Sequence, residues 1–292
     1  MSSFRDFAAD VLAADDLRPG TLRSYDSALR CHILPAIGDR EVSSIDAAQI
    51  RVLFADMRRR DVGPGAIHMT RKVLNKVLRV ALEDGLLERN PMASLRLPAR
   101  SKVTLDPPSK EDVAAIAAAI TPRHRALVLV LAWTGLRIGE AGGLTVDDYD
   151  PVKRRLLVRR QSTSYGMADL KTAAARRVVA VPRFVADELD AHLEKYPPVD
   201  GRLFSTTHGT PIRASKFYST FTRACDRAGL RRRFHPHELR HHAVSAMARS
   251  GAPIKAVQAA VGHTSAKLTL EVYSHVSEDD LQAIADRLDE AV

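Results

Sequence analysis

The sequence predicts a mainly α-helical protein in two parts, the second of which carries a small antiparallel sheet. Three observations lead there. Apolar residues recur at i, i+3, i+4 and i+7 through much of the chain, the spacing that lines one side of a helix. The stretch 97–109, with Pro98, Pro107 and Pro108 among small and charged residues, interrupts that pattern and reads as an extended linker. Residues 155–160 (RLLVRR) and 176–182 (RRVVAVP), rich in Val, Leu and Arg and separated by a polar, Gly-containing stretch, suggest two antiparallel strands. The expected layout is a helical domain at 1–97, a linker at 98–109 and a mixed but mostly helical domain at 110–292.

Taken in order, Thr21 can cap a helix running to Leu34 with Leu22, Tyr25, Leu29 and Ile33 on one side, closed by Pro35 and Gly38. Asp46 followed by Gln49 resembles a capping box and opens a helix with Ile50, Leu53, Phe54 and Met57 inward. Gly63-Pro64-Gly65 breaks it. A longer helix then runs to about Leu87, with Leu74, Val77, Leu78, Ala81 and Leu82 inward and Arg71, Lys72, Lys76 and Arg79 largely elsewhere. That basic side suits either solvent or a DNA backbone. Beyond the linker, Ser109 with Asp112 caps the next helix, and the apolar run 126–133 is too short for a membrane span and reads as a buried helix. It delivers Thr134-Gly135-Leu136-Arg137-Ile138-Gly139-Glu140. A charge beside so apolar a segment is rarely left alone: Arg137 either pairs with Glu140 or receives an anionic ligand. Lys171 falls near the turn between the two strands, 187–195 and 215–228 form further helices, and Arg231-Arg232-Arg233 follows.

Composition narrows the class. The chain has 292 residues, 45% of them hydrophobic, enough for two cores. Two cysteines, Cys31 and Cys225, cannot form a disulfide framework or a cysteine-rich zinc module, and the absence of an apolar signal core points to a cytoplasmic protein with no membrane partner. The net charge of +9 is concentrated in 150–183 and 202–241, while the tail from Ser277 is acidic, a distribution that favours a polyanionic partner.

The stretch 235–277 concentrates reactive side chains. His237 and Arg240 lie three apart on one helix face, and His263 and Tyr273 follow after a Gly251-Ala252-Pro253 break. With Arg137, this group suits holding a phosphodiester while a phenol oxygen attacks it. The same stretch satisfies H-E-x-x-H through His237-Glu238-Leu239-Arg240-His241, so a zinc hydrolase is an alternative. Its extended form fails, with Val244 where Gly and Met247 where a third His would stand, and the neighbouring arginines oppose a dication.

Taken together, these residues resemble the tyrosine recombinase (phage integrase) family over nearly the whole chain. Residues 134–140 look like its first arginine box, Leu170-Lys171-Thr172 through Pro182 like its lysine-bearing strand pair, and 237–241 like its H-x-L-R-H box. Val261-Gly262-His263 is similar to its second histidine, and Thr269-Leu270-Glu271-Val272-Tyr273 to its nucleophile segment. Gly139, Ala141, Ala175 and Val261 depart from the family's usual residues, but none removes a reacting group. The first hundred residues, with His32-Ile33-Leu34-Pro35 and Asn90-Pro91, resemble its SAM-like core-binding domain, with no separate arm-binding domain ahead of it.

The resemblance implies a site-specific recombinase that cleaves and rejoins DNA through a 3′-phosphotyrosine, for integration or excision of a phage or mobile element. Tyr273 would be the nucleophile, Arg137 and Arg240 the phosphate ligands, His237 the proton acceptor, His263 a phosphate partner and Lys171 the acid for the leaving 5′ oxygen. No cofactor or metal is expected. Partners would be double-stranded DNA attachment sites, bound as a homo-tetramer on two sites, with a directionality factor or host DNA-bending protein in support. Leu281, Ile284, Ala285 and Leu288 would form a C-terminal helix exchanged between subunits. Type IB topoisomerase-like relaxation and a catalytically silent DNA-binding regulator are the rival readings.

Overall fold

The computed structural model describes residues 3–93, 95, 106–170 and 175–262. The chain divides into two compact units, Met1–Val103 and Thr104–Val292.

The first unit is helical. Helix α1 (Phe4–Ala13) is an addition to the expected elements; the Ser3 hydroxyl caps it by accepting from the Asp6 N–H at 3.2 Å, and Phe4, Ala8, Val11 and Leu12 are buried. The helix expected from Thr21 starts instead at Pro19, whose fixed φ suits the first helical position, and forms α2 (Pro19–Ala28). Pro35 does not close it. A π-helical turn over Leu29–Ile33 leads directly into α3 (Leu34–Ile37), carrying the Leu34 N–H to the Leu29 carbonyl. The wider turn accommodates a proline that has no N–H to give. Tyr25, Leu29 and Ile33 are buried as the pattern requires, whereas Leu22 is exposed.

Helix α4 (Ala47–Arg59) has the expected reciprocal cap: Asp46 accepts from the Gln49 N–H at 2.8 Å and Gln49 accepts from the Asp46 N–H at 3.3 Å. Helix α5 (Pro64–Glu83) buries Val73, Leu74, Val77, Leu78 and Ala81, while Leu82, expected inward, is exposed. On its basic side Lys76 pairs with Asp15 at 2.6 Å and Arg79 faces Glu83 at 3.5 Å. Arg71 and Lys72 instead line an open recess with His68, Asn75 and Met92.

The second unit is built on α7 (Arg125–Thr134), which is buried along nearly its whole length and packs against α6 (Lys110–Ala119), α9 (Arg183–Lys195) and α11 (Glu238–Arg249). Ser109 and Asp112 cap α6 reciprocally. The short α8 (Ile138–Ala141), α10 (Ala214–Arg227) and α12 (Ile254–Val261) complete the α-helices of the described residues. Strands β1 (Tyr149–Asp150), β2 (Arg155–Val158) and β5 (Arg177–Ala180) form an antiparallel sheet in that order, with Leu156 opposite Val179.

The expected strand pair is therefore present, but its connection is not a simple turn. A second hairpin, β3 (Arg160–Thr163) with β4 (Gly166–Asp169), is inserted between β2 and β5. A break at Arg159 takes Arg160 out of the first strand, and β4 ends at Asp169. No helix among the described residues is long and apolar enough to cross a membrane.

Interior histidines of this unit make its stability depend on pH. His192 and His242 are buried, and each has a ring nitrogen without a hydrogen-bond partner; His124 is half-buried with both nitrogens unpartnered. Burial holds all three below the usual histidine pKa, with Arg123 opposing charge on His124 and His192. Above about pH 6.5, neutral imidazoles in both folded and unfolded chains leave stability unaffected. Below it the unfolded chain binds protons that the folded chain refuses, so stability falls as pH drops, by up to about 1.4 kcal/mol per pH unit for each histidine. Urea melts at pH 7.5 and 5.5 should show that loss, and His242→Gln should reduce it.

Candidate functional site

Helix α7 ends at Gly135, whose φ of 69° is left-handed and whose missing side chain matters twice. A Cβ there would meet Val261 Cγ1 at 2.8 Å and Ala243 at 3.4 Å. The chain therefore turns tightly between α11 and α12 and presents the Gly135 carbonyl to Arg240. That guanidinium, only 2% exposed, donates through Nη1 to the Gly135 carbonyl and through Nη2 to the Val261 carbonyl, both at 2.6 Å. Two neutral acceptors fix its plane without neutralising it. Burial, then the Arg137 charge, pushes its pKa down to about 9, which leaves it cationic at neutral pH.

Arg137 stands at the start of α8, and the two readings of its charge left open by the sequence are joined in one geometry. Its Nη1 donates to Glu140 Oε1 at 2.8 Å and its backbone N–H to Oε2 at 2.9 Å, yet the side chain is 43% exposed and still reachable by an anion. Glu140 is 3% exposed and accepts also from Arg177, Nη2 at 2.9 Å and Nη1 at 3.4 Å. Burial alone would raise the carboxyl's pKa; the hydrogen bonds and charge of Arg177 and Arg137 outweigh it and hold the group below the usual range. Glu140 is thus an anion shared by two arginines.

His237 precedes α11, one turn from Arg240. His237 remains exposed at its outer side, yet its pKa is pushed down to about 4, first by desolvation from the surrounding protein and then by the charges of His241, Arg240 and Arg137. It is neutral at pH 7, and its ring stands edge-on to His241 at 5.3 Å. Glu238, the base in a zinc-hydrolase reading, is committed elsewhere: it accepts from Arg232 at 2.5 Å and from the His235 N–H at 2.6 Å.

Arg137, His237 and Arg240 are thus brought into one site. Lys171, His263 and Tyr273 lie outside the described residues, as does the expected C-terminal helix from Ser277. The described chain reaches the threshold of two of them: Val261, two residues before His263, is held by Arg240, and β4 ends at Asp169, two before Lys171.

Many arginines of the basic excesses seen in the sequence have carboxylate partners while their side chains stay exposed at the surface. Arg159 and Arg160 pair with the buried Asp148, Arg155 with Asp150, and Arg231, Arg232 and Arg233 with Asp106, Glu238 and Asp226. Arg177 was countable in the sequence only as one more charge. Its signal was positional: on a strand it shares a face with the buried Val179, while Val178 and Ala180 face solvent.

The profile of the phage integrase family matches residues 109–280, and that of the phage integrase central domain matches residues 4–97. The integrase of Mycobacterium phage FRAT1 is 30% identical over 98% of this chain and 87% of its own length. The tyrosine recombinase XerD of Corynebacterium glutamicum is 27% identical over 92% of this chain and 91% of its own. In fold, the chain is similar to the Tn1549 transposon integrase solved with a circular intermediate DNA, with a TM-score of 0.86 at 20% identity over 98% of this chain and all of that one.

Proposed function

The chain belongs to the phage integrase family and is a site-specific tyrosine recombinase, and from that premise we propose that it breaks and rejoins DNA through a covalent 3′-phosphotyrosine on Tyr273. The observation that carries this reading is the pair of oriented guanidiniums. Arg240 is held edge-on by two carbonyls, and Arg137 is steered by Glu140 while still exposed.

Two fixed cations suit the non-bridging oxygens of a phosphodiester, where negative charge builds as the fifth oxygen attacks. The Tyr273 phenol oxygen forms the new P–O bond, the 5′ oxygen leaves, and Lys171 supplies its proton. A neutral phenol is a weak nucleophile with an ordinary pKa near 10, and His237, neutral at pH 7, can accept its proton. His263 completes the phosphate's hydrogen bonds. Attack by the 5′ hydroxyl of a second strand reverses the step, and because the ester conserves the bond's energy, neither ATP nor a metal is required.

The substrate is double-stranded DNA bearing attachment sites, gripped by the second unit and by the basic recess of α5 formed by Arg71, Lys72 and His68. Exchange between two sites calls for four active centres, hence a homo-tetramer on DNA, with a directionality factor or DNA-bending protein choosing integration or excision. The protein acts in the cytoplasm.

The test is a nicked suicide duplex carrying the protein's own attachment site, incubated in EDTA. A denaturation-resistant protein–DNA adduct mapping by peptide analysis to residue 273, with recombinant products from two-site DNA, is expected. Adduct with relaxation but no exchange would favour a topoisomerase-like activity. Tight binding without adduct would favour a silent regulator.

A further inference from the structure

Resting on that phosphodiester chemistry, we propose that Arg177 is a positioning residue for it: Arg177 balances the buried Glu140 from behind, so that Arg137 can offer its guanidinium to the phosphate instead of being neutralised by its own carboxylate partner.

The geometry separates the two arginines. Arg177 is 6% exposed and spends its donors inside the protein: Nε on the Ala260 carbonyl at 2.7 Å, Nη1 on the Ala175 carbonyl at 3.1 Å, and Nη2 on Glu140 at 2.9 Å. Arg137 is 43% exposed and shares the same carboxylate. Glu140 accepts two N–H bonds from each residue, so neither arginine holds it alone.

The charge count gives the pairing its consequence. Arg137, Arg177 and Arg240 against Glu140 leave an excess of two positive charges around the site. A pentacoordinate phosphate formed by attack on a diester carries two negative charges. Removing Arg177 halves that excess and leaves a buried carboxylate with Arg137 as its one remaining hydrogen-bonded cation. An ion so placed draws its partner inward, because attraction strengthens where water is excluded.

The same side chain also fixes the end of α12. Gly262 has a left-handed φ of 67°, and a Cβ there would lie 3.1 Å from Arg177 Nη1. The glycine lets the guanidinium close on the end of α12, where it holds the Ala260 carbonyl beside the Val261 carbonyl held by Arg240.

The experiment compares wild type, Arg177→Met, Glu140→Gln and the double variant by two readouts. The first is phenylglyoxal labelling of Arg137, followed by peptide mass spectrometry without DNA. The second is single-turnover cleavage of the suicide duplex at saturating protein, with Kd measured separately. Arg177→Met is expected to slow Arg137 labelling about fivefold and cleavage on the order of 10²-fold, the scale of a catalytic group drawn about an ångström out of place, with Kd changed less than about threefold. Adding Glu140→Gln should restore both rates to within about fivefold of wild type, a rescue that loss of packing alone would not give. Unchanged labelling in Arg177→Met, or slowed labelling that Glu140→Gln does not restore, overturns the proposal. Should the Met variant fail to fold, Arg177→Lys must label and cleave faster than Arg177→Gln; equal rates overturn it too. A wild type that labels normally but forms no adduct would refute the phosphotyrosine reading, and the labelling comparison would still decide the role of Arg177.

Discussion

Tyr273→Phe is expected to form no covalent adduct with the suicide duplex while binding site DNA about as tightly as wild type. The substitution removes one oxygen and keeps the ring, so packing and charge are conserved and only the proposed nucleophile is lost. Losing the nucleophile of a covalent mechanism costs several orders of magnitude in rate, about 10⁴-fold or more, so a quenched time course should show no adduct above background. Adduct at the wild-type rate would place the nucleophile on another residue.

Arg240 should show the second largest effect, divided between catalysis and stability. Arg240→Lys keeps a charge but loses the planar fork that reaches the Gly135 and Val261 carbonyls together. Cleavage should fall by about 10²–10³-fold, as when one oriented donor to a developing anion is removed. Arg240→Met should in addition destabilise the protein, by about 1–3 kcal/mol for each of the two carbonyls left unpaired. Arg137→Met provides the contrast, since its side chain is 43% exposed and its loss should lower the cleavage rate with a smaller fall in Tm. Equal changes in Tm for the two Met variants would mean that Arg240 does not tie the ends of α7 and α12 together.

Helix and cap signals were readable because they depend on neighbours in sequence. Asp46 with Gln49 and Ser109 with Asp112 cap in the structure as their spacing indicates, and Ile50, Leu53, Phe54 and Met57 are buried as their period indicates. Pro35 misled because a π-helical turn, which no local propensity announces, absorbed it. The β3–β4 hairpin leaves little trace in the sequence because its strands are short and polar, the one buried residue of β3 being Ser162, so the stretch carries little apolar alternation.

By itself, the sequence determined the mainly helical class, the small antiparallel sheet, the family and the candidate reactive residues, because these rest on periodicity and on residue types at particular spacings. Only the tertiary structure decided which charges are available. It gave Arg231, Arg232 and Arg233 carboxylate partners at the surface, buried Arg240 against two carbonyls, left Arg137 exposed beside Glu140 and set Arg177 behind that carboxylate. The physical reason is that a side chain's charge is evident from its identity, whereas its partners are chosen by segments far apart in the chain. Arg240 finds Gly135 across 105 residues, and Arg177 finds Ala260 across 83.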